Sequence, residues 1–281
     1  MPISYARQQT LQGFDSSVTP NWQMVPVGGQ RTLTVTGHGT LVPRVNPTNI
    51  ANVALNNSGG SARLVITGRV AGKGHIEWVP NLDHTGTVAA ANKLELSVKA
   101  ERRIQTAFHY IKDNAGHTTN RNRSDLNTLI TGVNAILTTQ ANVTMVRKSA
   151  AVAEVAQNLG AVVRFSSHLE GVAASEHEWD DVTALADSTA DFNVFFVWQY
   201  EQDATPAVNN TRAGTIASEK NCLMEDTMSS PHAETLAHET VHLLGIADHS
   251  AAHQHLIASG AHRNGQLISK SQANTINPSG T

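Results

Sequence analysis

The residues best placed to do chemistry lie between His238 and His249, where the chain reads H-E-T-V-H-L-L-G-I-A-D-H. Two His residues four positions apart lie on one face of a helix, so both imidazoles can reach a single ion. Glu239 points about 100° further around the helix axis, where its carboxylate can reach a water on that ion. The H-E-x-x-H pattern is typical of helix-borne zinc sites with Glu as general base. We therefore predict His238 and His242 as Zn²⁺ ligands and Glu239 as the catalytic base.

A third ligand is expected shortly after the helix. Gly245 suits the left-handed backbone that ends a helix and turns the chain back. Asp248, three residues later, is the expected ligand, and a slip of one residue would instead give a three-His site through His249. By chance, H-E-x-x-H is expected roughly 0.03 times in a shuffled chain of this composition. The added Gly and Asp lower that expectation to about one in ten thousand.

This segment resembles the long motif of the metzincin clan of zinc endopeptidases, H-E-x-x-H-x-x-G-x-x-H. The version ending in Asp resembles the snapalysin-type bacterial neutral proteases. The resemblance implies that His238, His242 and Asp248 bind zinc and that Glu239 is the general base. Downstream, H-L-I-A-S-G at 255–260 looks like the Met-turn of the clan with Ile257 in place of Met, followed by a segment similar to its closing helix.

Such a site implies peptide-bond hydrolysis. Glu239 would take a proton from a metal-activated water and deliver it to the leaving amine. Two neutral imidazoles and one carboxylate would leave a zinc complex with a net charge near +1. Because the third ligand would be anionic, we expect the bound water to have a higher pKa than in a three-His site.

Composition limits the other classes of function. The chain has 281 residues, of which 40% are hydrophobic and 15% charged, as in a globular protein with an adequate core. A net charge of −3 argues against nucleic acid or an anionic membrane as partner. No apolar run is long enough to span a membrane. The N-terminal residues lack the apolar region of a secretory signal peptide, so we expect export without such a signal, with a cytoplasmic location as the alternative.

The texture of the sequence changes near residue 100. Residues 24–100 alternate apolar and polar positions between Gly, Pro and Asn, which favours a small all-β sandwich. Within them, G-R-V-A-G-K-G-H-I-E-W at 68–78 is similar to the late strands of bacterial immunoglobulin-like repeats. The predicted strands of this region are Thr32–Thr36, Ala62–Val70, His75–Val79 and Lys93–Lys99.

The remainder, residues 101–281, favours an α/β (α+β) domain. It is expected to carry a twisted mixed sheet and the active-site helix, as in the metzincin-like zincins it resembles. We predict strands at 102–111, Val143–Val146, Phe192–Trp198, Thr215–Ala217 and Cys222–Met224, and a helix capped by Ser124. By resemblance, Thr215–Ala217 would be the edge strand that pairs with an extended substrate. Residues 1–23 are predicted to be a separate N-terminal segment.

For two further features, Cys222 and the acidic stretch at 175–181, the sequence favours a structural role over a functional one. Cys222 is expected to be a small buried hydrophobe, and an inhibitory thiolate near zinc is the alternative. The S-E-H-E-W-D-D stretch at 175–181 is expected to be a solvated acidic loop, with a calcium or second zinc site as the alternative.

Two classes of function follow. The first is a zinc endopeptidase, in the form of an exported effector or toxin, acting on a protein or peptide substrate or on a cell-wall peptide. Its N-terminal domain would bind a delivery or target partner. The second is a non-catalytic binding or structural module built on a degenerate zincin. The intact H-E-x-x-H favours the enzyme.

Overall fold

The computed structural model describes residues 3–7, 11–58, 61–164, 178–201, 213–227, 232–259 and 263–281. These residues form a β-rich structure with few helices. No helix among them is long and apolar enough to cross a membrane. The chain divides into two compact units. The first contains Met1–Arg102, Ile136–Val143 and Asn264–Thr281, and the second contains Arg103–Ala135 and Thr144–Arg263.

The first unit is built from two β-sheets. One has the strand order β1-β4-β7-β6 and the other β2-β3-β9-β8-β5. The strands are β1 (Ser4–Arg7), β2 (Phe14–Asp15), β3 (Trp22–Pro26), β4 (Gln30–Thr36), β5 (Val42–Asn46), β6 (Ala51–Ser58), β7 (Ser61–Gly68), β8 (Gly72–Val79) and β9 (Lys93–Lys99).

A single apolar core joins these two sheets. It takes Leu33 and Leu64 from one sheet, and Ile76 and Leu96 from the other. Alternate residues of a strand point to opposite faces, so each sheet can bury one face against its partner. The predicted all-β sandwich is therefore confirmed as a two-sheet structure, and all four predicted strands occur within a few residues of their expected bounds.

Both ends of the chain belong to the first unit, which the predicted domain boundaries did not include. Residues 1–23 were predicted to be a segment outside the β-sandwich, but β1 pairs with β4 and β2 pairs with β3. The physical reason is burial, since Tyr5 lies in the core and accepts a hydrogen bond from Trp78 Nε1 at 2.8 Å. Residues 264–281 were assigned to the second domain, but they also belong to the first unit.

Polar contacts explain why the C-terminal residues pack there. Their helix, α4 (Lys270–Ile276), begins with a capping box between Ser269 and Gln272. Beyond it, the buried Lys99 Nζ donates to the carbonyls of Asn277 at 2.6 Å and Ser279 at 3.0 Å. Because a buried ammonium needs acceptors, these carbonyls hold the C-terminal residues to the end of β9.

The second unit has a five-stranded mixed sheet of order β11-β10-β13-β16-β15. In it β10, β13 and β16 run parallel, and β15 is antiparallel to β16. Strands β12 and β14 form a separate parallel pair. The strands are β10 (Arg102–Asp113), β11 (Val143–Val155), β12 (Val163–Arg164), β13 (Phe192–Val197), β14 (Tyr200–Glu201), β15 (Ala213–Ile216) and β16 (Asn221–Glu225), and the helices are α1 (Leu126–Ala141), α2 (Glu178–Thr183) and α3 (His232–Leu243).

Two local predictions for this part of the chain differ from the structure, one in the capping residue and one in the length of a strand. The turn that leads into α1 is capped by Asn122, whose side chain accepts from the backbone of Ser124 at 2.8 Å, so Ser124 is not the cap. Strand β11 is also much longer than the predicted Val143–Val146. The predicted strand stops where Arg147, Lys148 and Ser149 interrupt the apolar pattern from which a strand is predicted, although the strand itself continues through them.

Candidate metal centre

Helix α3 carries the first two candidate ligands on one face. His238 is buried and His242 is half-buried, one turn apart. His249 joins them from the chain beyond the helix, with its imidazole exposed. The ligand nitrogens of the three His residues lie within 4.8 Å of one another, and this is the only such group of three or more metal-binding side chains among the described residues. The cluster could hold a metal ion.

Backbone carbonyls determine which nitrogen of each helix His faces the centre. Nδ1 of His238 lies 2.7 Å from the Leu256 oxygen, and Nδ1 of His242 lies 2.7 Å from the Ile246 oxygen. Because a carbonyl oxygen only accepts, each Nδ1 must carry the proton. Burial lowers the pKa of His238 to about 3 and also lowers that of His242, so both rings are neutral near pH 7. Each Nε2 therefore presents a bare lone pair.

The distances between the Nε2 atoms of the three His residues fit a small metal ion. His238 Nε2 lies 3.1 Å from His242 Nε2 and 3.3 Å from His249 Nε2. A tetrahedral zinc ion with Zn–N bonds of 2.0–2.1 Å requires N···N separations of about 3.3–3.4 Å. The two helix His nitrogens both lack a proton, so they cannot hydrogen bond with each other and would repel without a cation. The donor set thus fits zinc or a similar divalent ion.

Asp248 does not join this cluster. The sequence favoured it over His249 as third ligand, but it is exposed and lies outside the group of convergent ligand atoms. The side chain that joins the cluster is the alternative, His249, one residue beyond the position expected from the metzincin pattern. The reason lies in the backbone between the helix and this pair of residues.

A Schellman motif ends α3 and sets the direction of that backbone. Gly245 has φ +106°, and its N–H donates to the backbone carbonyl of His242. The N–H of Ile246 donates to the backbone carbonyl of Val241. The predicted left-handed glycine turn is therefore confirmed. The same turn directs the Ile246 carbonyl at His242 Nδ1. Further along, the N–H of Ser250 donates to the Ile257 carbonyl at 3.1 Å, which ties the residue after His249 to the following loop.

Glu239 lies beside the cluster in a buried environment. Its Oε2 accepts a hydrogen bond from Thr215 Oγ1, at 2.7 Å, in strand β15. Burial raises the pKa of Glu239 to about 7, against the lowering effects of the Thr215 hydrogen bond and the Arg263 cation. A carboxyl group with a pKa near neutrality can both accept and release a proton under physiological conditions.

The single cysteine lies behind this carboxylate. Cys222 is completely buried and pairs with Thr215 across strands β15 and β16. Burial, and next the negative charge of Glu239, raise the pKa of its thiol. The expectation of a small buried side chain is confirmed, since a protonated buried thiol is a poor metal ligand.

The loop that follows the ligands has a buried apolar side chain where the Met-turn would have methionine. Ile257 is buried between Leu256 and Ala258, which are also buried. Residues 260–262 of this region lie outside the described part of the chain. The segment expected to be a closing helix belongs to the first unit as α4.

The predicted acidic loop is only partly within the described residues. Residues 175–177, including His177, lie outside them. Glu178 and the two Asp residues that follow Trp179 begin helix α2, and Glu178 is buried. The prediction of a solvated loop is therefore wrong for Glu178, because the following Trp179 and Val182 belong to the apolar core and draw this turn inward.

Sequence reasoning missed four groups that contact the site. They are the hydroxyl of Thr215, the backbone carbonyls of Leu256 and Ile246, and the ion pair of Arg263 with Glu234. None belongs to a recognisable motif. Thr215 and Arg263 are more than twenty residues from Glu239 in the chain, and a backbone carbonyl leaves no trace in the identity of its residue.

Comparison with known proteins assigns no family to the chain. No protein-family model matches the chain, and no curated protein matches it. Among solved structures, a GspB Siglec domain is similar over 50% of this chain and 76% of its own, with 10% sequence identity and a TM-score of 0.22. A score of that size carries no conclusion about fold or function.

Proposed function

We propose that the second unit is a zinc-dependent endopeptidase of metzincin type, with His238, His242 and His249 as ligands and Glu239 as general base. The observation that carries the proposal is the convergence of three His Nε2 atoms beside a buried carboxylate, with that of His238 lying 3.1 and 3.3 Å from the other two. A structural zinc site would use four protein ligands, whereas three ligands leave a position for water and substrate.

When bound, the metal would supply Lewis-acid polarisation of a water and of the substrate carbonyl. The three His ligands are neutral, so they reduce its charge less than the carboxylate expected at Asp248 would. The carbonyls of Leu256 and Ile246 keep two of the ligand rings in one tautomer and orientation. The chain therefore supplies a preorganised donor set.

Glu239 carries the proton in this proposal. Thr215 holds Oε2, so we assign Oε1 as the atom that accepts a proton from the attacking water and then delivers it to the leaving amine. A pKa of about 7 suits both transfers, because neither protonation state is strongly favoured near neutral pH.

Strand β15 supports an extended peptide as substrate. It is the outermost strand of its described sheet, and helix α3 packs against it. An extended peptide can add to such an edge through main-chain hydrogen bonds. Thr215 lies on this strand and contacts Glu239, so the edge and the proposed base are adjacent.

For the first unit we propose an immunoglobulin-like binding domain for a delivery or target partner. Its two-sheet core and the strands that include residues 68–78 support this role. The enzyme proposal concerns the second unit and does not depend on it.

The test is cleavage of a peptide library by the zinc-loaded chain and by Glu239→Ala. We expect the variant to retain zinc and to lose peptide hydrolysis by several orders of magnitude, because only proton transfer is removed. Zinc content is measured alongside to separate the two effects.

A matched control is Glu154→Ala, which removes an exposed carboxylate in the same unit. It should cleave the same peptides at the wild-type rate. Equal hydrolysis by Glu239→Ala and wild type, or no hydrolysis by the zinc-loaded wild type, would contradict the proposal and favour a non-catalytic metal-binding module.

A further inference from the structure

A buried ion pair lies next to the proposed metal centre. Arg263 Nε donates to Glu234 Oε1 at 2.7 Å, and the two side chains are only 3% and 14% exposed. Glu234 belongs to the first turn of α3, whereas Arg263 follows the loop after the ligands. The pair therefore joins the zinc helix to that loop.

The guanidinium makes a second contact that reaches a ligand. Arg263 Nη1 lies 3.4 Å from the Leu256 oxygen, the same oxygen that accepts from His238 Nδ1 at 2.7 Å. One carbonyl oxygen thus has Arg263 on one side and the ligand ring on the other. An arginine can contact the Glu234 carboxylate and the Leu256 carbonyl at the same time, because its N–H donors are held in one rigid plane.

The positive charge of Arg263 lies close to the proposed metal centre. Burial is the main cause of the lowered pKa of His238 and His249, and the positive charge of Arg263 adds to it. A positive charge near a metal centre opposes the binding of a metal cation. Glu234 offsets that charge, so the pair can fix the loop with little net repulsion of the ion.

We infer that Arg263 is a positioning residue for the metal centre: paired with Glu234, it holds the Leu256 carbonyl against His238 and so orients this ligand. The inference rests on the proposed zinc site and not on peptidase activity. It also identifies what stabilises the loop in which Ile257 replaces the methionine of the Met-turn.

The sign of the effect on zinc affinity separates positioning from simple charge. Arg263→Met removes a positive charge, so electrostatics alone would lower the zinc dissociation constant. Loss of positioning would instead raise it about tenfold to a hundredfold, as for other groups that orient metal ligands. Arg263→Lys keeps the charge but loses the planar fork, so positioning predicts weaker binding and electrostatics predicts no change.

The experiment measures zinc dissociation constants by competition with a chromogenic chelator on the full chain, with circular dichroism to confirm folding. Lys148→Met is the matched control, since it breaks an ion pair with Asp187 in the same unit, and it should bind zinc like the wild type. The absorption spectrum of the Co²⁺-loaded chain provides a second readout, because it reports the geometry of the ligands.

Weaker zinc binding in both Arg263 variants supports the inference. Wild-type affinity in Arg263→Lys, or tighter binding in Arg263→Met, overturns it. If Arg263→Met fails to fold, Arg263→Lys alone decides the question. A wild-type chain that binds zinc but cleaves no peptide overturns only the proposed function, whereas one that binds no zinc overturns both.

Discussion

Replacement of His249, the proposed third ligand, provides the most direct test of the site. His249→Ala removes an imidazole whose Nε2 lies 3.3 Å from that of His238. Structural zinc sites with four ligands bind with roughly 10–16 kcal/mol, or about 3 kcal/mol for each ligand. We therefore expect the zinc dissociation constant of His249→Ala to rise by a factor of roughly 100 to 1,000.

Asp248→Ala should behave differently, although the two residues are neighbours. Asp248 is exposed and lies outside the convergent ligand group. Exposed charges contribute about 0–1 kcal/mol, so the dissociation constant should change by less than about fivefold. His253→Ala, which removes another exposed imidazole from the same segment, should leave zinc binding unchanged.

Chelator competition on the three purified variants measures these constants, and elemental analysis gives the zinc stoichiometry. The reasoning is refuted if Asp248→Ala loses zinc while His249→Ala keeps wild-type affinity. Equal losses in both variants would also count against it, since they would mean that both side chains bind or that the loop is displaced.

Three other predictions concern different contacts. Thr215→Val should lower kcat about tenfold or more with little change in zinc content, because a hydrogen bond to Glu239 is lost, and Thr215→Ser should restore the rate in steady-state peptide hydrolysis. Asp113→Asn should lower the free energy of unfolding at pH 7 by about 2 kcal/mol, because the buried carboxylate accepts hydrogen bonds from His117 and Leu159. Burial raises the pKa of Asp113, but these hydrogen bonds outweigh burial and leave the pKa lowered. The difference in unfolding free energy between wild type and Asp113→Asn, measured by urea titration, should therefore decrease below about pH 4. Deletion of residues 277–281 should destabilise the chain by about 3 kcal/mol, because Lys99 loses its carbonyl acceptors, and Lys99→Met should recover part of this loss in thermal unfolding.

The sign of the Asp113 effect follows from its lowered pKa. Above the unfolded-state pKa the ionised carboxylate contributes its full stabilisation to the folded chain. As the pH falls through the folded-state pKa, the group is protonated in both states and the contribution disappears. A difference between wild type and Asp113→Asn that does not change down to pH 2 would contradict this account.

Local patterns in the sequence were enough to predict that His238 and His242 lie together on one helix face, and to predict many of the strands. His238, Glu239 and His242 depend on one helical turn, whose geometry is the same in any fold. The predicted strands of the first unit also occur, because alternation of apolar and polar residues is a local property. The Gly245 turn belongs to the same class, since a left-handed residue after a helix is a local requirement.

The presence of His249 rather than Asp248 in the His cluster depends on the tertiary structure. Adjacent side chains point in different directions, so a small change in the backbone exchanges which of them faces the helix. That backbone depends on the hydrogen bond from Ser250 to Ile257 and on the one between His238 and the Leu256 carbonyl, which joins the loop to helix α3. Neither contact is part of a local sequence pattern. The placement of residues 264–281 in the first unit was equally hidden, because it depends on Lys99, a buried cation that finds its acceptors almost two hundred residues away.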